Sequence, residues 1–219
     1  MKRLLIYVEG QTEETFVRDV LAPHLWAFGI HPEPTLARTK RTRSGLTFKG
    51  GITSYQRTKR DIKRLFDDTD VQAVTTMLDY YHLPTDFPGV NSIPVSSCFG
   101  RVVFLEAMLR DDITEQRFIP FLVLHEFEAL LFSQAEEIEL AFPDLKLSRK
   151  MQQEASEFAT PEEINEGEDT HPAARILKHA PGYRKPLHGP LIANRIGLTT
   201  IRSRCPHFNE WLTKLEALA

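Results

Sequence analysis

The sequence predicts an α/β fold: a mainly parallel sheet flanked by helices, with a helical C-terminal extension. Three observations predict it. Short apolar runs recur at Leu4-Leu5-Ile6-Tyr7-Val8, Ala73-Val74-Thr75-Thr76-Met77-Leu78 and Phe118-Ile119-Pro120-Phe121-Leu122-Val123-Leu124. Each is followed by a helical pattern, which is how a strand buried beneath crossover helices reads. The resulting order, β-α-β-α-β-α-β over the first 125 residues, implies right-handed crossovers and an α/β sheet. The expected division is a core over residues 1–132 and a helical extension over 133–219 packed on it.

Residues 12–29 read as a helix. Thr12 is placed to cap it, Glu13 and Glu14 lie in the favourable first turn, and Phe16, Val17, Val20, Leu21 and Leu25 form the apolar stripe. Pro23 is expected to kink it and Gly29 to end it. A short strand is expected near Glu33–Ala37, then a basic Gly-containing loop over 39–51, then a helix over 52–68 with Ile52, Tyr55, Ile62, Leu65 and Phe66 inward. Residues 82–98 carry three prolines and a glycine and read as a loop. A helix follows at about residues 99–110.

Beyond the third strand, Ser133-Gln134-Ala135-Glu136 matches a capping box that would start a helix, and Thr160-Pro161-Glu162-Glu163 matches a second with proline at the first helical position. Further helices are expected at Thr170–His179, Ile192–Arg204 and about 206–218, the last with Phe208, Trp211, Leu212 and Leu215 on one side.

At 219 residues, 42% hydrophobic and 26% charged, the composition is that of an ordinary soluble globular protein. No apolar run approaches a membrane span. The first run ends too early and at too acidic a residue for a signal peptide, so a cytoplasmic protein is expected. Cys98 and Cys205 suit a reducing compartment and are too few for a structural zinc site.

The net charge of −3 excludes a general polyanion binder, but its distribution is uneven. Arg38, Lys40, Arg41, Arg43, Lys49, Arg57, Lys59, Arg60, Lys63 and Arg64 fall in one block whose only acid is Asp61. Such a block could hold phosphates, with Arg38, Lys40, Arg41, Arg43, Arg57, Lys59, Arg60 and Lys63 as the nucleic-acid contacts. A solvated helix face with a loop is the plainer account.

The three apolar runs also end in acids: Glu9, Asp79, and His125-Glu126 with Glu128 beyond. Ligand sites of parallel sheets lie outside the carboxyl ends of the strands. Carboxylates gathered there make a hard-oxygen cluster suited to Mg²⁺ or Mn²⁺. Gly10 permits a tight turn into a helix N-terminus, which leaves Glu9 available to a metal or as a general base. Asp86 sits in a turn-like segment where aspartate commonly caps its own backbone.

Glu126 and Glu128 face one side if the chain stays extended and diverge by about 200° if it is helical. His125 could bind metal or a phosphate, though a lone histidine is more often structural. Glu162 and Asn165 would share a helix face and could complete a metal or phosphate site. Lys185, in the basic segment Tyr183–Gly189, could stabilise a pentavalent phosphate. A surface loop before a helix is the alternative.

Glu9-Gly10-Gln11-Thr12-Glu13, with a later strand ending at Asp79, resembles a Toprim domain. That metal-binding fold is shared by topoisomerases, DnaG-type primases, recombination proteins and OLD-family nucleases. Asp79-Tyr80-Tyr81 with Pro84–Gly89, His125–Phe132, Pro161–Asn165 and Cys205-Pro206-His207-Phe208-Asn209 with Trp211 resemble a family of small bacterial Toprim-like proteins that carries a domain-of-unknown-function label and is similar to the RloB-like proteins. The resemblance spans nearly the whole chain. It implies a Mg²⁺- or Mn²⁺-dependent nuclease on DNA or RNA, often associated with an ABC- or AAA-type ATPase in phage defence or DNA repair.

Together with the reading of the residues, the expected site is Glu9, Asp79, Glu126 and Lys185, with Glu128, Glu162 and Glu163 as further metal candidates. One departure stands out. Toprim domains carry Asp-x-Asp after the later strand, and this chain has Asp79-Tyr80-Tyr81. Either Glu126 or Glu128 replaces the lost carboxylate, or the site is degenerate and the chain is a non-catalytic subunit that docks onto an ATPase. Homo-oligomerisation is left open by the sequence.

Overall fold

The computed structural model describes residues 1–37, 52–94, 96–164 and 167–219. Strand β1 (Lys2–Val8) lies at the centre of a five-stranded sheet. It pairs in parallel with β2 (Ile30–Leu36) on one side and β3 (Val71–Asp79) on the other. Beyond β3 come two short parallel strands in succession, β4 (Phe118–Ile119) and β5 (Leu122–Val123). The order is β2-β1-β3-β4, with β5 also on β3.

The third apolar run is thus interrupted. Pro120 carries no N–H for the ladder. Beside it the Thr76 hydroxyl accepts from Phe121 N and donates to Phe121 O, both at 2.8 Å, so a side chain fills the gap in the backbone pairing.

Strand β2 begins earlier than the sequence suggested and contains Pro32 and Pro34. Their positions alternate with the residues whose N–H groups face β1, so the missing donors fall on the outer side of an edge strand, where proline is tolerated and discourages further pairing.

The helix expected over 12–29 starts one residue sooner. It runs as α1 (Gln11–Phe16), a π-helical turn (Val17–Leu21) and α2 (Ala22–Trp26). Thr12 is buried and does not cap it; Gly10 holds the cap position, and the Glu13 side chain accepts from Gly10 N at 2.8 Å. The π turn just ahead of Pro23 absorbs a residue that cannot donate to the preceding turn. Gly29 adopts φ +72° in the turn that leads into β2.

Helix α3 (Tyr55–Leu65) and α4 (Cys98–Ile113) cover one face of the sheet. Tyr55, Ile62, Leu105 and Leu109 pack there on Leu5, Tyr7, Val74 and Leu78. Asp86 differs from expectation: it accepts from Tyr55 N at 2.9 Å and so caps α3.

The other face receives α1, α2 and most of the C-terminal residues. A 3-10 helix (Phe127–Gln134) leads into α5 (Glu136–Leu140), α6 (Ser148–Ser156), α7 (Pro172–His179), α8 (Lys185–Ile196), α9 (Leu198–Arg204) and α10 (Pro206–Glu216). Leu4, Ile6 and Val8 of β1 share one buried cluster with Phe16, Ile192 and Phe208. Residues on both sides of position 132 therefore contribute to one core.

Three expectations for this half are corrected. Ser133 is buried against Cys205, 3.3 Å from its sulfur, and does not cap α5. The helix expected over Ile192–Arg204 is two helices, because Gly197 at φ +77° turns the chain between them. Lys185 does not lie in a loop; it opens α8, with Pro186 in the first turn. Both cysteines are free thiols, and no described helix is long and apolar enough to cross a membrane.

Helix α10 is fastened to the sheet by Trp211. Its indole stacks on Phe121 with centroids 4.3 Å apart, and its Nε1 donates to Thr75 Oγ1 at 2.9 Å. Trp211→Phe keeps an aromatic ring but loses the hydrogen bond and part of the packing volume. A loss of about 1–3 kcal/mol is expected. Urea unfolding should show a lower midpoint at unchanged slope.

Candidate functional site

Because β1, β3 and β5 are parallel, their last residues emerge on one edge. Glu9 follows β1, Asp79 ends β3, and Glu126 stands three residues past β5. Asp79 N donates to Glu9 Oε2 at 3.0 Å, and Phe127 N donates to Asp79 Oδ1 at 3.0 Å, so the three strand ends are tied to one another through the acids themselves. Glu9 and Asp79 are half-buried; Glu13, Glu126 and Glu128 are buried.

The Glu126–Glu128 segment resolves the extended-or-helical alternative in an intermediate way. His125 is held at φ +63°. Glu126 is extended, at φ −148° and ψ 161°, and the 3-10 helix begins at Phe127. The bend brings both acids to one ammonium. Lys185 Nζ lies 2.7 Å from Glu126 Oε1 and 3.1 Å from Glu128 Oε2. Tyr183 OH donates to Glu128 Oε1 at 3.0 Å. Glu126 Oε2 accepts from Ala173 N at 3.1 Å and lies 2.6 Å from His171 Nδ1.

Lys185 reaches this position because α8 packs closely on α1 and on the turn after Glu126. Gly189 makes that approach possible: a Cβ there would come within 3.1 Å of both Phe127 and Thr12 and 3.2 Å from Tyr183 OH.

Crowding sets the electrostatics. Burial, then the nearby Glu126 and Glu128 charges, push the Glu9 carboxyl up to about 7, against the opposing pull of Asp79 N–H and Lys185. Burial and the Glu9 charge push Glu13 up to about 8. Asp79 is raised well above the usual carboxylate range by burial and by Glu9 and Glu13. Glu128 is raised by burial, with Lys185 opposing. Burial acts upward on Glu126 too, but Lys185, Ala173 N–H and His171 outweigh it and hold that carboxyl low. Burial would lower Lys185, yet the charges of Glu128, Asp79 and Glu126 prevail and keep it firmly protonated.

The structure therefore brings Glu9, Asp79, Glu126, Glu128 and Lys185 together. It gives Glu162 and Glu163 different partners. Glu162 accepts from His207 N and Phe208 N, both at 2.9 Å, and caps α10. Glu163 accepts from Thr160 N at 3.0 Å. Among the described residues, no three His, Cys, Asp or Glu side chains converge as metal ligands.

Arg38, Lys40, Arg41 and Arg43 lie outside the described residues, as does Asn165. Arg57, Lys59, Arg60 and Lys63 are on α3. Lys59 pairs with Asp112 at 2.8 Å, while Arg60 and Lys63 are exposed. Sequence reasoning missed His171 and gave Tyr183 no role. Nothing local marks His171, which meets Glu126 from 45 residues away. Glu13 does carry a signal, four residues after Glu9 at the start of a helix.

An acid-lined carboxyl edge on a parallel, helix-covered sheet defines the class: an α/β protein with its site at the strand ends. Residues 8–216 match the model of the family described as Domain of unknown function (DUF4276), and the chain belongs to that family. It is similar to the C-terminal region of the Burkholderia pseudomallei OLD protein, at 20% identity over 100% of both chains with a TM-score of 0.45. It is also similar to the C-terminal region of the Xanthomonas campestris pv. campestris OLD protein, at 16% identity over 98% of this chain and 97% of that one, with a TM-score of 0.34. No curated protein matches it.

The raised carboxyls link stability to pH. Glu9 and Glu13 bind protons more tightly folded than unfolded, so the folded state gains protons between their unfolded values near 4.5 and their folded values of about 7 and 8. Their contribution is present at low pH and is lost as pH rises through 7 to 8. In EDTA, Tm should be higher at pH 6 than at pH 8.5. Glu13→Gln should flatten that slope; an unchanged slope would show that Glu13 is not proton-linked.

Proposed function

We propose that this chain is a Mg²⁺- or Mn²⁺-dependent phosphodiesterase of the Toprim type that acts on DNA or RNA. The observation that carries the reading is the gathering of Glu9, Asp79, Glu126 and Glu128 on one sheet edge, with Asp79 N–H on Glu9 and the Lys185 ammonium paired to Glu126 and Glu128. The donor chemistry fits the ion. The candidate donors are all carboxylate oxygens, as Mg²⁺ and Mn²⁺ prefer, and their negative charge exceeds what one lysine neutralises, although among the described residues no three of them converge as a ligand set.

Glu9, Asp79 and Glu126 or Glu128 would hold the metal, which on binding would neutralise phosphoryl charge and acidify water. The chain's own groups account for the rest. Glu9, where solvent reaches it, either ligates or takes the proton from the attacking water. Lys185 donates to phosphoryl oxygens as charge builds on them. His171 and Tyr183 fix the orientation of Glu126 and Glu128. Glu162 caps α10 through both oxygens, Glu163 accepts from Thr160 N through one, and neither pairs with Lys185, so both are left out of the proposed ligand set. Basic residues of 38–64 would hold the strand's backbone without reading bases. The family resemblance adds a partner ATPase and a place in phage defence or DNA repair.

A second reading keeps the fold and drops the chemistry: a subunit that docks onto an ATPase. Tyr81 in place of the second aspartate favours it, as does the engagement of one oxygen each of Glu126 and Glu128 by Lys185.

The test is cleavage of supercoiled plasmid, single-stranded DNA and structured RNA in Mg²⁺ or Mn²⁺, with and without the neighbouring ATPase. Glu9→Gln preserves size and removes charge, so a loss of more than about 100-fold is expected. Asp79→Asn should abolish cleavage. If cleavage survives Glu9→Gln, or no substrate is cut even with the partner, the docking-subunit reading replaces the nuclease reading.

A further inference from the structure

The position that lacks the second aspartate holds a pile of rings. Tyr80 N donates to Val123 O at 2.9 Å and Tyr81 N to His125 O at 2.8 Å, so the backbone pairing of β3 continues past Asp79 and holds Tyr81 in place at the carboxylate edge. The Tyr81 ring stacks on His82, with centroids 3.9 Å apart and planes at 25°. It also stacks on His171, at 4.8 Å and 25°. His171 in turn holds Glu126 Oε2 at 2.6 Å, so the pile is anchored on an acid of the proposed site.

The outer member is unusual in its backbone. His82 sits at φ +64°, a conformation that side chains with a Cβ rarely adopt, and yet it is exposed. Burial does not explain why an imidazole should stand there. Its only ring contact among the described residues is Tyr81.

We propose that His82 and Tyr81 form a stacking platform for an unpaired nucleobase, and that the substrate is accordingly a single strand, an overhang or an extruded nucleotide. The inference rests on the nucleic-acid reading above and narrows it. A base within a duplex is already covered on both faces, whereas an unpaired base offers a free π-face to any aromatic platform. The platform begins two residues after Asp79 in the chain and is linked by His171 to Glu126. A base stacked on His82 would leave its phosphate close to the carboxylate edge. Stacking is tolerant of base identity, so the platform supplies strand selectivity without sequence selectivity.

The experiment is fluorescence anisotropy in EDTA, which separates binding from cleavage. The probes are oligothymidine, an abasic oligomer of equal length and a blunt duplex. Wild type should bind oligothymidine about 10-fold more tightly than the abasic chain, the scale of one stacked base. His82→Gly relieves the backbone while removing the ring, and Tyr81→Leu removes the platform. Each should bring the two affinities together and leave the salt dependence unchanged, since no phosphate contact is lost. Tyr81→Phe should behave as wild type.

Equal wild-type affinity for oligothymidine and the abasic chain would overturn the platform while leaving the nucleic-acid reading intact. So would unaltered selectivity in both His82→Gly and folded Tyr81→Leu, judged by circular dichroism. Preference for the blunt duplex would overturn it as well. Failure to bind any of the three probes would remove both the platform and the nucleic-acid reading.

Discussion

The acidic edge depends on one counter-charge. Lys185 lies within ion-pairing distance of Glu126 and Glu128, and the charge of Asp79 also reaches it. Carboxylates taken out of water without a partner are strongly unfavourable, and breaking a buried pair typically costs about 3–5 kcal/mol. Even with Lys185 in place, Glu9, Glu13, Asp79 and Glu128 are left with raised proton affinity. The edge is thus under-neutralised by the protein itself, the usual condition of a site that takes up cations or works with protons.

The rest of the fold can be traced outward from that lysine. It is placed by α8, whose approach is set by Gly189 against Thr12 and Phe127. Helix α8 lies over α1 in the same buried cluster that holds Phe208 and Trp211, so the C-terminal half secures the site from behind. Helix α7 adds His171 and Ala173 N to Glu126, and α7 is fixed to α6 by Arg175, which pairs with Glu154 and Glu157. An appendage by chain order is a structural wall of the site in space.

The left-handed His125 serves the same end. Ordinary geometry at His125 would carry the chain away from the edge; φ +63° there turns Glu126 and Glu128 toward Lys185. Such backbone costs on the order of 1–3 kcal/mol, and it persists only where surrounding contacts enforce it. Here Tyr81 N–H on His125 O and Phe127 N–H on Asp79 provide the enforcement.

By itself the sequence determined the parallel sheet and the delivery of Glu9, Asp79 and Glu126 to one edge. Those follow from apolar runs of strand length ended by acids and separated by helical patterns, which are local signals. It also determined the extent of α7 and α10 to within a few residues. It could not determine that Glu162 caps α10, that Ser133 meets Cys205, or that His171 and Lys185 converge on Glu126, because those pairs are joined by packing across 45 or more residues of chain. Strand order belonged to the same class, whereas the break at Pro120 follows locally from a residue that carries no N–H for the ladder. Periodicity reports which face of an element is buried; only the tertiary structure decided what each buried face meets.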